Sequence, residues 1–211
     1  MKKRDKKILD NFLDIEDLDL IKNLNLKKIQ NNEVKVYHNK IYKTGEIETD
    51  CLSDAQIRNF QSKYHFKALD ILKELNSKKI ALYDYSEFHI IETGADYKFP
   101  IHDDTPDKLL SGVIYISPEN NTGTIFYDSK KGDNKQIIDW KVNRGVFFSR
   151  IEGESWHSYE GDGKANRIAL VYNLMTTKIK EVYKIENKNY LFGRLRYWIN
   201  PYLYKFLKFT I

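Results

Sequence analysis

The chain has 211 residues, 41% of them hydrophobic and 14% aromatic, which suffices for one sizeable core and is short for two. Its 35 basic and 30 acidic residues are interleaved through most of the sequence, so the net charge of +5 reads as a solvated surface rather than a focused nucleic-acid-binding stripe. A single cysteine, Cys51, excludes an intramolecular disulfide and a cysteine-based zinc site, and fits a reducing compartment.

No run approaches the roughly 20 apolar residues of a membrane span. The basic residues 1–7 lead into a segment broken by acids, unlike the apolar stretch of a signal peptide. A cytoplasmic protein is expected, with 1–211 as a single domain: residues 1–80 as helical support, 81–176 as a β core, and 177–211 as an aromatic and basic tail.

In chain order, Ile8, Phe12, Ile15 and Leu18 recur at helical spacing and predict one or two short amphipathic helices. Residues 34–38 and 40–43 alternate apolar with polar and predict strands, punctuated by Asn39 and Gly45. Ser53-Asp54-Ala55-Gln56 has the form of a capping box, and it opens a run with Ile57, Phe60, Tyr64, Ala68, Ile71, Leu72 and Leu75 on one helical face. From Ile80 the character changes to β-branched and aromatic runs separated by Gly, Pro, Asn and Asp, the pattern of an antiparallel all-β body. The predicted strands are 82–93, 109–117, 123–127, 136–140, 145–150 and 167–174.

The chemistry concentrates in His102-Asp103-Asp104. On extended backbone, residues i and i+2 share a face, so His102 and Asp104 can converge on one metal while Asp103 points away. His157 supplies a third donor from a distant segment. Two imidazoles and one carboxylate on one face of an ion leave positions open and suit iron(II). Ten residues on, Arg167 opens the apolar run Ile168-Ala169-Leu170-Val171-Tyr172. A guanidinium there is an always-charged fork suited to the far carboxylate of a dicarboxylic acid. Arg144 and Arg150 are its rivals, and Tyr115 is a candidate second donor.

Over roughly residues 87–174 the sequence resembles the Fe(II)/2-oxoglutarate-dependent dioxygenases, in particular their prolyl 4-hydroxylase-like branch. That family's order is His-x-Asp, a distal His, then Arg or Lys about ten residues later; here His102, Asp104, His157 and Arg167 fill it. Gly94 and Tyr97, the Tyr-bearing Val113-Ile114-Tyr115-Ile116, the turn Asn121-Thr122-Gly123-Thr124-Ile125-Phe126, and Asn143-Arg144-Gly145-Val146-Phe147-Phe148 also match its pattern. Three departures stand out. The spacing from Tyr97 to His102 is long, which makes Phe99 a rival as the aromatic beside the metal. Ala169 replaces a frequent hydroxyl residue, which favours Tyr115 as the carboxylate's partner. Asn173 stands where the nucleic-acid-dealkylating branch has a second Arg.

The resemblance implies a mainly β fold with N-terminal helices, a double-stranded β-helix or cupin-like jelly roll. It implies Fe(II) on His102, Asp104 and His157, with 2-oxoglutarate chelating the metal and anchored by Arg167 and Tyr115. Hydroxylation of a substrate C–H would follow, using O2, releasing succinate and CO2, with ascorbate as a possible reductant. Asp104, in place of Gly or Ala, argues against a halogenating variant.

The substrate could be a small molecule, a sugar or a peptide; a nucleic acid is disfavoured. The alternatives are a non-enzymatic cupin-like metal- or ligand-binding protein and, behind it, a nucleic-acid dealkylase of the same fold. Residues 190–211, aromatic and basic with no acid, predict a helix packed on the outer sheet or across a homodimer interface, or else peripheral membrane contact.

Overall fold

The computed structural model describes residues 6–207. Twelve strands form two antiparallel sheets, and four α-helices accompany them. The chain runs β1 (Lys6–Leu9), α1 (Ile15–Lys22), β2 (Val34–Tyr37), β3 (Asn39–Tyr42), β4 (Ile47–Thr49) and α2 (Asp54–Asn76). A 3₁₀ turn at Ser77–Leu82 follows, then β5 (Tyr85–Thr93), β6 (Lys98–His102), β7 (Lys108–Ser117), β8 (Ile125–Phe126), β9 (Gln136–Ile137), β10 (Gly145–Phe148), β11 (His157–Glu160), β12 (Arg167–Met175), α3 (Ile179–Ile185) and α4 (Tyr190–Leu207).

The larger sheet has the order β1-β10-β7-β12-β5-β3-β4, with β2 also pairing β5; the smaller has the order β6-β11-β8-β9. This is the expected double-stranded β-helix, a jelly roll whose two sheets do not close into a barrel. Successive residues of a strand face opposite sides, and both sides of the larger sheet are used. Phe88, Ile90, Leu170, Tyr172 and Leu174 point outward into the main apolar core. Ile91, Thr93, Arg167, Ala169 and Val171 line a cavity on the inner side.

Helix α2 covers the outer side. Ser53 Oγ accepts from the backbone N–H of Gln56, and Gln56 Oε1 accepts from the backbone N–H of Ser53, so the capping box is complete. Ile57, Phe60, Tyr64, Ala68, Ile71 and Leu72 are buried from the helix. At about 1.5–3 kcal/mol for each large side chain, this face contributes on the order of 10 kcal/mol against the cost of chain ordering.

Three departures from the sequence reading are local. The stripe from Ile8 to Leu18 is not one helical face: Ile8 lies in β1 opposite Val146, and Ile15 is largely exposed. Between them the chain turns at Asn11, whose φ of 53° is incompatible with a continuing helix. The strand expected from residue 82 starts at Tyr85 because the 3₁₀ turn occupies Ser77–Leu82. The strands expected at 123–127 and 136–140 shorten to two residues each. Gly123 lies so close to the carbonyl oxygen of Ile138 that a Cβ would come within 1.8 Å of it.

Candidate metal and cosubstrate site

His102 is the last residue of β6, an edge strand where Pro100 costs no ladder hydrogen bond. His157 is the first residue of the adjacent β11, and the two are direct partners in the register. Asp104 lies beyond the end of β6, in the turn before β7, so it reaches the histidines from a loop rather than from the strand face the sequence suggested. Its Oδ1 lies 3.9 Å from His102 Nε2, and its Oδ2 lies 3.9 Å from His157 Nε2. One ligand atom from each residue falls within 4.8 Å of the other two, the single such cluster among the described residues.

Both imidazoles are held by their far nitrogens. His102 Nδ1 lies 3.0 Å from the carbonyl oxygen of Pro100, and His157 Nδ1 lies 2.9 Å from that of Ser155. Donation to a carbonyl fixes the proton on Nδ1 and leaves Nε2 as a lone-pair donor facing Asp104. Burial, reinforced by His157, pushes the His102 imidazole down to about 3, and burial lowers His157 as well. Burial would raise the Asp104 carboxyl, but the Lys108 ammonium 2.7 Å away, together with His157 and His102, outweighs it and holds the group well below the usual carboxylate range. Ser111 Oγ donates to its other oxygen at 2.5 Å. Two neutral imidazoles and a carboxylate form a donor set that fits a divalent metal.

Arg167 opens β12 opposite Thr93 and is 3% exposed. Its Nε has no hydrogen-bond partner, and its remaining polar contact is a 3.4 Å hydrogen bond to the carbonyl oxygen of Thr122. The guanidinium lies 4.1 Å from the ring centre of Tyr159 and 5.3 Å from that of Trp140. Burial draws its pKa down, and the nearby groups opposing that are the tyrosines 159 and 115 rather than any carboxylate. Its sequence rivals are both satisfied: Arg144 pairs with Asp10, and Arg150 with Glu152 and Glu186. A cavity of about 190 Å³ joins His102, Asp104 and His157 to Arg167.

No family model matches the sequence, and no curated protein matches it. Solved structures do. A Pseudomonas putida prolyl-4-hydroxylase aligns with a TM-score of 0.55 at 13% identity, over 82% of this chain and 94% of that one. An oxidoreductase of the 2OG-Fe(II) oxygenase family from Burkholderia pseudomallei aligns at 0.57 and 14%, over 81% and 84%. A Trichoplax adhaerens prolyl hydroxylase, solved with a hypoxia inducible factor peptide fragment, aligns at 0.52 and 13%, over 85% and 87%. The fold is that of the 2OG-Fe(II) oxygenases.

Within this oxygenase fold, Tyr115 stands behind the cavity wall. Its hydroxyl donates to Thr124 Oγ1 at 2.9 Å and accepts from the Thr124 N–H at 2.7 Å, and its ring stacks on Trp140. Thr124 is the residue of this pair that lines the cavity with Arg167. The aromatic against His102 is Phe99, with ring centres 4.5 Å apart, while Tyr97 sits farther out beside Tyr159. Asp103, between the two ligand candidates, forms an ion pair with Arg196 of α4.

Sequence reasoning passed over Lys108, Ser111, Thr124 and Tyr159. Tyr159 carried a usable signal, since it lies two places after His157 on the same strand and so on the same face. Lys108 and Ser111 carried none, because their proximity to Asp104 depends on how the turn folds.

A second cavity, of about 330 Å³, lies beside His102 and Asp104 and is bounded by Phe99, Pro106, Arg150, Tyr183 and, from α4, Arg196, Tyr197 and Asn200. Helix α4 packs so closely on α3 that a Cβ on Gly193 would lie 2.2 Å from the Tyr183 ring.

Proposed function

We propose that the protein is an iron(II)- and 2-oxoglutarate-dependent oxygenase that hydroxylates a substrate C–H bond. The observation that carries this reading is one cavity with the His102/Asp104/His157 donor set at one end and the unpaired, buried Arg167 at the other. A guanidinium buried without a counter-charge costs several kcal/mol, a cost that a dicarboxylate ligand removes. A plain metal-binding barrel has no use for it.

His102, Asp104 and His157 would hold the metal, and Arg167 would grip the far carboxylate of 2-oxoglutarate. Tyr115 fixes Thr124 on the wall beside it, and the Tyr159 ring packs on the guanidinium. When bound, the pair supplies the oxygen chemistry: 2-oxoglutarate loses CO2 to give succinate, and one atom of O2 enters the substrate. Phe99 against His102, and Phe148 with its ring 4.7 Å from that of His157, exclude water from the donor set. The substrate, a small molecule, sugar or peptide side chain, enters through the 330 Å³ cavity between the donor set and α4.

The test is incubation with iron(II), ascorbate and 2-oxoglutarate while succinate is followed, with His102→Ala and Arg167→Ala as controls. Slow succinate release without added substrate, absent in both variants, is expected. Absence of both turnover and 2-oxoglutarate binding in the wild-type protein would refute the reading. Turnover unaffected by Arg167→Ala would reassign the anchor.

A further inference from the structure

Helix α4 has two unlike faces. At 3.6 residues per turn, Gly193, Arg196 and Asn200 fall on one side, and Leu191, Leu195, Trp198 and Tyr202 on the other. The first side is docked: Gly193 lies against Tyr183, Arg196 pairs with Asp103 and Glu152, and Arg196 and Asn200 border the cavity beside His102. The second is bare. Leu191, Leu195, Trp198 and Tyr202 are each half to three-quarters exposed, as is Phe192 on the flank. Nothing in the cavity requires this stripe, since the opposite side makes the helix's contacts with α3 and with the loops that carry Asp103 and Glu152.

Charge identifies what covers it. Residues 187–211 hold five of the 35 basic residues and none of the 30 acidic ones, so the preceding chain balances 30 against 30 and the whole net charge of +5 sits in this segment. Lys188 and Arg196 are engaged by Glu154 and by Asp103 and Glu152; Arg194 flanks the apolar stripe on the exposed surface. An apolar stripe with Trp and Tyr, flanked by Arg194 in a segment that holds five basic residues and no acid, matches the boundary between the headgroups and acyl chains of an anionic bilayer. A second copy of the chain fits less well, because a two-fold contact through this stripe would set each acid-free basic helix against its own like charge. Among the described residues no helix is long and apolar enough to cross a membrane, so the contact is lateral.

We propose that α4 docks the protein on anionic phospholipid surfaces through Leu191, Leu195, Trp198 and Tyr202, while its opposite side walls the cavity next to His102 and Asp104. The docking needs no turnover and stands apart from the oxygenase reading.

The experiment is co-sedimentation of the full chain with phosphatidylcholine vesicles and with vesicles containing about one-third phosphatidylglycerol, alongside tryptophan emission. Expected are binding to the anionic vesicles and a blue shift from Trp198. Binding should fall when salt is raised to about 1 M, where the screening length is about 3 Å. The surface variant Leu195→Ser/Trp198→Ser should bind at least about tenfold more weakly while keeping the wild-type circular dichroism and melting temperature. Failure of the wild-type protein to bind anionic vesicles, or undiminished binding by the double variant, would overturn the proposal. So would a dimer in light scattering that the double variant converts to monomer, since a second copy would then cover the stripe.

Discussion

Lys108 Nζ lies 2.7 Å from Asp104 Oδ1, so the carboxylate proposed as a metal ligand is also the counter-charge of a mostly buried ammonium. Removing Asp104 therefore does more than delete a donor. Asp104→Ala is expected to abolish metal binding and also to destabilise the protein by about 1–3 kcal/mol, the range for leaving a partly buried charge unpaired. Asp104→Ala/Lys108→Met should recover most of that stability and none of the metal binding. Urea unfolding and iron(II) titration of both variants separate the two effects; equal stability of the single and double variants would refute the coupling.

Arg167 has the opposite signature. Its guanidinium is buried without a carboxylate, which makes it a liability to the protein in the absence of an anionic ligand. Arg167→Met is expected to leave the melting temperature of the ligand-free protein unchanged or raised, and to weaken 2-oxoglutarate binding by roughly 100-fold, the loss of a charge-assisted, bidentate contact. Metal affinity should be untouched. Calorimetric titration of 2-oxoglutarate into the metal-loaded protein, with a thermal melt, checks both halves.

How far such relationships can be read from sequence depends on their range along the chain. The capping box at Ser53 and Gln56 is local, and the helix it opens could be read directly. The β body was visible because Phe88, Ile90, Leu170 and Tyr172 alternate with inward residues. The smaller sheet was harder: β6 and β11 are short strands that pair with each other, His102 opposite His157, a long-range event that leaves no periodicity. The ion pair of Asp103 with Arg196 was invisible for the same reason, so the tail could be recognised as amphipathic without any sign that its polar side would face a cavity. The stripe from Ile8 was legible only in its second half, where α1 buries Leu18; Ile8 belongs to β1, and Asn11 at positive φ separates the two.

Asp84 predicts an acid-sensitive joint between β12 and α3. Burial would raise its carboxyl, but Lys178 Nζ at 2.6 Å, the Thr177 N–H and hydroxyl, and the Thr176 hydroxyl lower it from 3.8 to about 2. A carboxyl depressed in the folded state stabilises above its unfolded pKa, and that stability is lost as pH falls from about 4 toward 2. With solvent screening of this partly exposed group, the contribution is on the order of 1 kcal/mol. Asp84→Asn should lower stability by that amount at pH 7 and by little at pH 2. Denaturant unfolding at the two pH values tests the convergence; a constant difference would contradict it.

Glu186 of the α3 C-terminus is 1% exposed at its side chain and faces two cations, Lys79 Nζ at 2.7 Å and Arg150 Nη1 at 2.8 Å, each essentially buried. Arg150 in turn donates from Nε to the carbonyl oxygen of Asp104 at 3.0 Å. Glu186 thus anchors, through one arginine, the turn that presents Asp104 to the histidines. Glu186→Gln keeps the shape and removes the charge, leaving the buried Lys79 without a carboxylate and Arg150 with Glu152 alone, which it shares with Arg196. A loss of about 3–5 kcal/mol is expected. For a chain of this length that corresponds to a melting temperature lower by roughly 6–20 °C. Because Arg150 would lose one of its two carboxylate partners, metal affinity should also fall, although Glu186 lies outside the donor set. A variant that melts early yet titrates with iron(II) as the wild type does would show that the network supports the fold without positioning Asp104.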